Sequence, residues 1–207
     1  MANILAFSGS TREGSFNKKI LKSAVTGAKD SGAEVTLIEL SDFDLPLYDG
    51  DLEHLQGVPK NALKLKELFL ANDGLLLALP EYNSSMSGVF KNVIDWVSRP
   101  TDDEDAPLSC FKNKTAALMS ASPGHLGGAR GLVHAKSMLE NIHVQVLAKH
   151  VCVAQADKAF NDEGVIKDET TRLSIEQLGF YLAHIIDEDD DKDKTHHREV
   201  SMTIQRC

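Results

Sequence analysis

Ile-Leu-Ala-Phe-Ser-Gly-Ser-Thr-Arg-Glu-Gly-Ser-Phe-Asn occupies residues 4–17 of this chain and decides its fold. An apolar run typical of a buried strand ends at Phe7, and a turn rich in hydroxyl groups and glycine follows at once. From Ser15 onward apolar side chains recur at helical spacing, which predicts a helix over residues 15–31. Strand, turn and helix in this order open a βαβ unit.

A second segment with the same arrangement lies further along the chain. Residues 75–79 are apolar, and residues 80–85 read Pro-Glu-Tyr-Asn-Ser-Ser. In a doubly wound sheet, the carboxyl ends of the first and third strands flank the topological switch point, where the fold places its ligand. Two polar turns that face one crevice predict a phosphate cradle beside a platform for a flat ring.

The rest of the chain continues the alternation of strands and helices. Apolar or β-branched runs predict strands at residues 34–40, 73–79 and 114–121, and a fifth strand contained within residues 143–154. Amphipathic patterns predict helices at residues 59–71, 87–97, 128–141 and 168–187, and the breakers of residues 41–58 predict a loop there. Because the connections are too long for hairpins, the strands should be parallel. We therefore predict an α/β fold: a doubly wound, five-stranded parallel sheet with helices on both faces.

The composition indicates one domain and a charged tail. The chain has 207 residues, of which 42% are hydrophobic, enough for a sizeable core. We assign residues 1–187 to the domain and residues 188–207, which begin Glu-Asp-Asp-Asp-Lys-Asp-Lys, to a polar, flexible tail. The net charge of −9 argues against a nucleic-acid partner. A loop can nevertheless bind phosphate through its backbone N–H groups.

Signals for export, membrane insertion and metal binding are missing from the sequence. There is no charged-then-apolar leader and no apolar run of membrane-spanning length, so we expect a cytoplasmic protein without membrane insertion. The three cysteines are widely spaced and form neither a disulfide framework nor a metal pattern. His134 and His143 have no carboxylate at ligand spacing, so we expect no metal site.

The first polar turn carries the donors that a phosphate dianion needs. Ser10, Ser15 and Asn17 can donate side-chain hydrogen bonds, and Arg12 supplies a permanent positive charge. The N–H groups of the first helical turn point to the same place. The simpler alternative is an ordinary turn in which Ser15 caps the helix. The turn has neither the Gly-Lys-Ser/Thr of a Walker loop nor a Gly-x-Gly-x-x-Gly pattern.

Two further turns belong to the same edge of the predicted sheet. Backbone amides of residues 80–83 are placed to meet the polar edge of a flat ring while Tyr82 packs nearby. The alternative makes Tyr82 a core aromatic and Asn83 a turn former. Residues 121–131 are rich in glycine, which allows close backbone approach to a ligand. The alternative is a flexible surface loop, and the shared position of the three turns favours ligand contact.

Several motifs together resemble those of the NADPH-dependent FMN reductase family, the flavodoxin-like group that includes chromate, quinone and azo-dye reductases. Residues 9–17 resemble its phosphate signature, Gly-Ser-x-Arg-x-x-Ser-x-Asn. Residues 79–99 resemble its second signature, from Leu-Pro-Glu-Tyr-Asn through Ser-Gly to Lys-Asn-x-x-Asp-Trp-x-Ser-Arg. Residues 45–52 and 127–130 also match. The resemblance spans residues 2–155, weakens through the last helix and is absent from the tail.

The resemblance implies a flavodoxin-like fold with FMN as a bound cofactor. It implies that the first turn holds the phosphate, that the second meets the ring and ribityl chain, and that the third approaches the ring from the other side. It further implies a homodimer or homotetramer with residues 87–98 near the interface, and a contact between Arg99 and an anionic acceptor. The implied cofactor-binding residues are Ser10, Arg12, Ser15, Phe16, Asn17, Pro80, Glu81, Tyr82, Asn83, Ser122, Gly124, Gly127 and Gly128.

The predicted activity is a two-step oxidoreduction. NADPH or NADH delivers hydride to FMN and leaves, and an acceptor then takes electrons at the same ring face. Quinones, chromate, azo compounds and free flavin are all candidate acceptors. Because the cofactor carries the chemistry, we expect no catalytic acid–base side chain. Two alternatives stay open: a flavodoxin-type electron carrier without its own NAD(P)H oxidation, and a flavin-binding sensor or interaction protein.

Overall fold

Strands and helices alternate along the chain in this computed structural model. The structure describes residues 1–101, 105–106 and 108–204, with residues 190–204 described by their backbone alone. The strands are β1 (Asn3–Ser8), β2 (Glu34–Ile38), β3 (Gly74–Ala78), β4 (Glu81–Tyr82), β5 (Ser85–Met86), β6 (Thr115–Ala121), β7 (Gln145–Val146) and β8 (Val151–Val153). The helices are α1 (Phe16–Asp30), α2 (Gly50–Gln56), α3 (Lys60–Leu70), α4 (Gly88–Val97), α5 (Ala129–Asn141), α6 (Ala156–Ala159) and α7 (Glu169–Ile204).

The main sheet is parallel and doubly wound. Its strand order is β2-β1-β3-β6, after which β7 and β8 both pair with β6. All of these pairs are parallel. The order reverses between β1 and β3, which creates the switch point at the carboxyl edge of the sheet. The predicted flavodoxin-like, five-stranded sheet is confirmed, because β7 and β8 share the fifth position.

Each face of the sheet has its own hydrophobic core, because side chains alternate between the faces along a strand. In β1, Ile4 and Ala6 pack in the core that α1 and α7 cover, whereas Leu5 and Phe7 pack in the core under α3, α4 and α5. Every residue of β3 is buried, as expected for a strand covered by helices on both sides. The helices therefore lie on both faces, as predicted.

The fifth strand lies within residues 143–154, as predicted, but it is interrupted. β7 pairs with the start of β6, and β8 pairs with its end. Between them Ala148, Lys149 and His150 are exposed. The Lys149 ammonium lies 5.2 Å from the ring centroid of Tyr181 on α7. Polar side chains cannot fill buried strand positions without partners, so this stretch leaves the ladder.

Residues 41–58 contain helical structure that the sequence did not predict. Leu40–Asp42 forms a single 3₁₀ turn, and Gly50–Gln56 forms α2. Asp49 caps α2 by accepting from two backbone N–H groups of its first turn. Gly57 follows the last helical residue with a φ of 74°. The loop prediction was wrong here because the two glycines stand at the ends of the helix and not within it.

The last helix is longer than predicted. α7 continues to Ile204, whereas the prediction ended it near residue 187. Residues 188–204 contain neither glycine nor proline, so no local stop signal interrupts the helix. Residues 205–207 of the predicted tail lie outside the described residues. Among the side chains of α7 that the structure describes, residues 169–189, the buried apolar ones are Ile175, Leu178, Leu182, Ala183 and Ile186.

Candidate functional site

A cleft of about 70 Å³ opens at the carboxyl edge of the sheet, next to the ends of β1, β3 and β6. Ala121 and Pro123 form part of its wall. The structure thus brings residues from all three polar turns to one place. The remaining lining residues are all members of the predicted cofactor-binding set: Ser10, Arg12, Ser15, Phe16, Asn17, Pro80, Glu81, Tyr82 and Ser122.

The hydroxyl groups of the first turn lie at the start of α1. Ser10 and Ser15 are each only 3% exposed. Ser15 caps α1, because its Oγ accepts from the backbone N–H of Lys18 at 3.4 Å. The capping role is therefore confirmed, and no acidic residue stands in the first helical turn. The helix start presents its free N–H groups and its partial positive charge to the cleft, and no carboxylate of that turn offsets this charge.

Arg12 places a positive charge at the same turn. Its backbone N–H donates to Ser10 Oγ at 3.4 Å, which shapes the turn. Its side chain is exposed, and within the described part of the chain its guanidinium has no ion-pair or hydrogen-bond partner. In a chain with a net charge of −9, this guanidinium is available to an anion.

Asn17 connects the first turn to the third. Its Nδ2 donates to the carbonyl oxygen of Ala121 and its Oδ1 accepts from the N–H of Ala121, both at 3.0 Å. This double hydrogen bond fixes the end of β6 against α1 and leaves one Nδ2 hydrogen for a ligand. The sequence predicted the donor but not the link, because the two residues are 104 positions apart.

The second turn is a tight hairpin. β4 and β5 pair antiparallel, and Asn83 and Ser84 form the loop between them. Both loop residues have a positive φ, 51° and 66°, the type I′ geometry that matches the twist of the strands. Asn83 is therefore a turn former. Tyr82 is 49% exposed, so it is not a core aromatic, and its side chain is available beside the cleft that it lines.

Glu81 ties this hairpin to the start of α5. Its carboxylate accepts from the backbone N–H of Gly131 at 3.0 Å and from Nε of Arg130 at 3.2 Å. Burial acts to raise the pKa of Glu81, but these two donors together hold it below its ordinary value. The carboxylate is thus ionised at neutral pH and already accepts hydrogen bonds from Arg130 and Gly131. The backbone of Glu81, and not its side chain, is therefore available to a ligand.

The glycines of the third turn allow it to pack closely on the sheet. Gly127 and Gly128 have φ values of 60° and 93°. A Cβ on Gly127 would lie 2.8 Å from the backbone at the end of β8, and one on Gly128 would collide with the side chain of Ser120. These contacts account for both glycines without a ligand. Four residues of the predicted set do not line the cleft: Asn83, Gly124, Gly127 and Gly128.

Arg99 lies apart from the cleft. Its Nε donates to Glu53 at 2.8 Å, and its guanidinium lies 5.6 Å from the ring centroid of Tyr48. It lines a separate groove of about 510 Å³ beside α2. That groove is larger than the cleft but contains none of the hydroxyl groups or helix N–H groups described above. The structure therefore does not bring Arg99 to the other predicted site residues, and its charge is already paired.

No cysteine or histidine of the described residues lines the cleft. Within the residues that the structure describes, no group of three or more His, Cys, Asp or Glu side chains is placed to hold a metal ion. Cys110 and Cys152 are free, and burial raises the pKa of both thiols, that of Cys110 to about 11. Neither cysteine is a thiolate at neutral pH.

No helix among the described residues is long and apolar enough to cross a membrane.

The donor set of the cleft fits a phosphate monoester joined to a flat ring. Two buried hydroxyl groups, the first turn of α1 and a guanidinium without a partner among the described residues line the cleft. Pro80, Tyr82 and Pro123 present apolar surface on the remaining wall. Anions bind favourably at helix N-termini, and planar rings pack well on aromatic and proline side chains. FMN combines these two chemical groups.

Residues 2–158 match the model of the family described as NADPH-dependent FMN reductase. The chain is similar to an NAD(P)H-dependent FMN reductase of Pseudomonas aeruginosa, with 39% identity over 175 residues that cover 84% of this chain and 89% of that protein. It is also similar to a quinone reductase of Escherichia coli K12, with 35% identity over 146 residues, 70% of this chain and 73% of that protein. All residues of the cleft lie within the part matched by the family model.

Among solved structures, the chain resembles FerB, a flavoenzyme NAD(P)H:(acceptor) oxidoreductase from Paracoccus denitrificans. The TM-score is 0.75 at 28% sequence identity. The match covers 91% of this chain and 98% of that one. The likeness therefore extends over nearly the whole fold.

Proposed function

This chain belongs to the NADPH-dependent FMN reductase family, and on that premise we propose that it is an FMN-dependent enzyme that oxidises NAD(P)H. FMN binds in the cleft at the switch point. The second substrate is a small electron acceptor: a quinone, chromate, an azo compound or free flavin. The observation that carries the proposal is the Arg12 guanidinium, which has no partner among the described residues, beside two buried hydroxyl groups at a helix start without acidic residues.

The first turn holds the phosphate in this proposal. Ser10 and Ser15 donate from their hydroxyl groups, Arg12 neutralises the charge, and the first N–H groups of α1 complete the shell. Asn17 adds its remaining Nδ2 hydrogen while it keeps Ala121 in place. Hydrogen bonds that involve a charged group are roughly twice as strong as neutral ones. This turn therefore supplies most of the affinity for the phosphate.

The second and third turns position the ring. Pro80 and Tyr82 pack against it, the backbone of residues 80–83 meets its polar edge, and Ser122 with the glycine-rich loop approaches from the other side. FMN, when bound, supplies the hydride-accepting chemistry. The cleft encloses about 70 Å³, whereas pockets that bury a whole ligand hold roughly 300–1,000 Å³. In this proposal the protein encloses the phosphate end of FMN and leaves part of the ring surface open to NAD(P)H and to the electron acceptor.

The proposed assembly is a homodimer or homotetramer built on the surface around α4. Leu47 is 81% exposed and Leu55 on α2 is 79% exposed. The segment that carries them is anchored to α4, because Trp96 Nε1 donates to the carbonyl oxygen of Pro46 at 2.8 Å. These two exposed leucines offer apolar surface that association with a second copy of the chain would bury.

An anaerobic visible spectrum of the FMN-reconstituted protein tests the proposed reaction. One equivalent of NADPH should remove the oxidised flavin band within seconds, and a quinone should restore it. Bound FMN that keeps its band with both NADPH and NADH would instead support the electron carrier or the sensor. A protein that binds no FMN would overturn the proposed cofactor.

A further inference from the structure

A cation lies on a pair of stacked aromatic rings at one end of the cleft. Phe16, which lines the cleft, stacks on Phe160 with ring centroids 5.7 Å apart and ring planes 4° apart. The Lys19 ammonium lies 5.0 Å from the centroid of Phe160 and 5.9 Å from that of Phe16. Cation–π attraction at these distances holds the ammonium over the rings.

The stem of Lys19 is covered by a turn of the loop before α7. Gly164 in this turn has a φ of 79°, and a Cβ there would lie 3.6 Å from Cε of Lys19. Asn161 closes the turn, since its backbone N–H donates to the carbonyl oxygen of Val165 and its side chain accepts from the Val165 N–H. A lysine that is already held in place loses less conformational freedom when it binds an anion.

No residue that the structure describes neutralises the charge of Lys19. The adjacent Lys18 pairs with Glu39 at 2.5 Å. Lys19 itself forms no ion pair with any residue that the structure describes, although Asp162 and Glu163 stand in the turn that covers it. Lys19 is therefore a second available cation beside the cleft, separate from the guanidinium assigned to the FMN phosphate.

We propose that Lys19, held on Phe16 and Phe160, selects NADPH over NADH by binding the 2′-phosphate of the adenosine. This inference rests on the proposed function, because it assigns the electron donor of the same site. The two coenzymes differ only in that phosphate. The exposed parts of the aromatic rings suit the flat adenine, and the ammonium suits the dianion next to it. Lys19 acts here by binding alone and makes or breaks no bond.

Equilibrium binding tests this role without turnover. Calorimetry on the FMN-loaded protein compares adenosine 2′,5′-bisphosphate with 5′-AMP, which lacks the 2′-phosphate. The wild-type protein should bind the bisphosphate roughly tenfold more tightly, the effect of one charge-assisted hydrogen bond. Lys19→Gln should remove most of this preference. In steady-state kinetics, the same variant should lose the KM advantage of NADPH over NADH.

Lys22→Gln is the matched control, because it removes the same charge from an exposed position one helical turn further along α1. It should keep the preference for the bisphosphate. If both variants lose the preference for the bisphosphate equally, or if Lys19→Gln keeps it, the role of Lys19 is overturned. A wild-type protein that both coenzymes bleach equally well, without a preference for the bisphosphate, would overturn this inference alone. Failure of both coenzymes to bleach bound FMN would overturn the proposed function instead.

Discussion

Among single residues, Arg12 offers the clearest separation of ligand binding from folding. Its guanidinium is exposed and has no partner in the described chain, so the folded state gains little from it. We expect Arg12→Ala to weaken FMN binding by roughly tenfold or more and to leave the unfolding temperature of the FMN-free protein unchanged. Fluorescence titration and thermal unfolding measure the two quantities. Unchanged FMN affinity would remove Arg12 from the phosphate site.

Asp105 is a largely buried carboxylate with a structural role. It forms an ion pair with Lys66, and the two side chains are 10% and 7% exposed. It also accepts from Ser109 Oγ at 2.7 Å and from the backbone N–H of Thr101 at 3.0 Å. These donors, Lys66 foremost, hold the pKa of Asp105 well below its ordinary value. Asp105 thus anchors its own loop to α3.

We expect Asp105→Asn to destabilise the protein by about 3 kcal/mol at neutral pH, because the variant leaves the Lys66 charge buried without a counter-charge. The pKa of Asp105 is lower in the folded state than its value of about 3.9 in the unfolded chain. Its stabilisation is therefore present above the unfolded pKa and is lost as the pH falls toward the folded one. Urea unfolding should show the gap between wild type and variant narrowing in acid. A gap that stays constant with pH would contradict this role.

At the scale of elements, α1 and α7 approach each other through two glycines. A Cβ on Gly27 would collide with the carbonyl group of Glu176, and one on Gly179 would collide with that of Ala24. Hydrogen is the only side chain that both positions accept without a backbone shift. The contact places α7 close over the face of the sheet that α1 covers.

We expect Gly179→Ala to destabilise the fold by about 2–3 kcal/mol, because the added methyl group forces the two helices apart. Gly88→Ala is the control: it changes the same atom on a helix, but nothing lies within 4 Å of the new Cβ. The control should be neutral or up to about 1 kcal/mol more stable. Denaturant unfolding measures both. Equal effects would show that helix propensity, and not the crossing, decides the outcome.

The long elements could be predicted because hydrophobic periodicity is local to each of them. The helix α2 could not be predicted in this way, because none of its side chains is buried. A hydrogen bond between Glu53 and Arg99, 46 positions apart, helps to hold it. The three turns of the site could be predicted because each follows the end of a strand. The hydrogen bonds that link the turns could not be predicted, because their partners are far apart in the sequence. Asn17 and Ala121 are 104 positions apart, and Glu81 and Gly131 are 50 apart.

At the scale of the whole molecule, the folding unit should end near residue 187. Ile186 is the last buried apolar side chain of α7 among those described, and the amino group of Met1 pairs with Asp187 at 3.0 Å. A chain that stops after Asp187 should keep an unfolding temperature within a few degrees of the full chain and should keep its flavin bleaching. A chain that stops after Phe180 loses three core residues and should unfold. Loss of folding in the longer truncation would place the end of the domain beyond residue 187.

The interrupted fifth strand also affects how readily folded molecules associate through the edge of the sheet. An edge strand offers a row of unpaired N–H and C=O groups to which another chain can add. Here that row is divided into β7 of two residues and β8 of three, with exposed Lys149 and His150 between them. An incoming strand meets a short ladder, a charge and then a second short ladder. The break therefore protects this edge of the sheet against aggregation by strand addition.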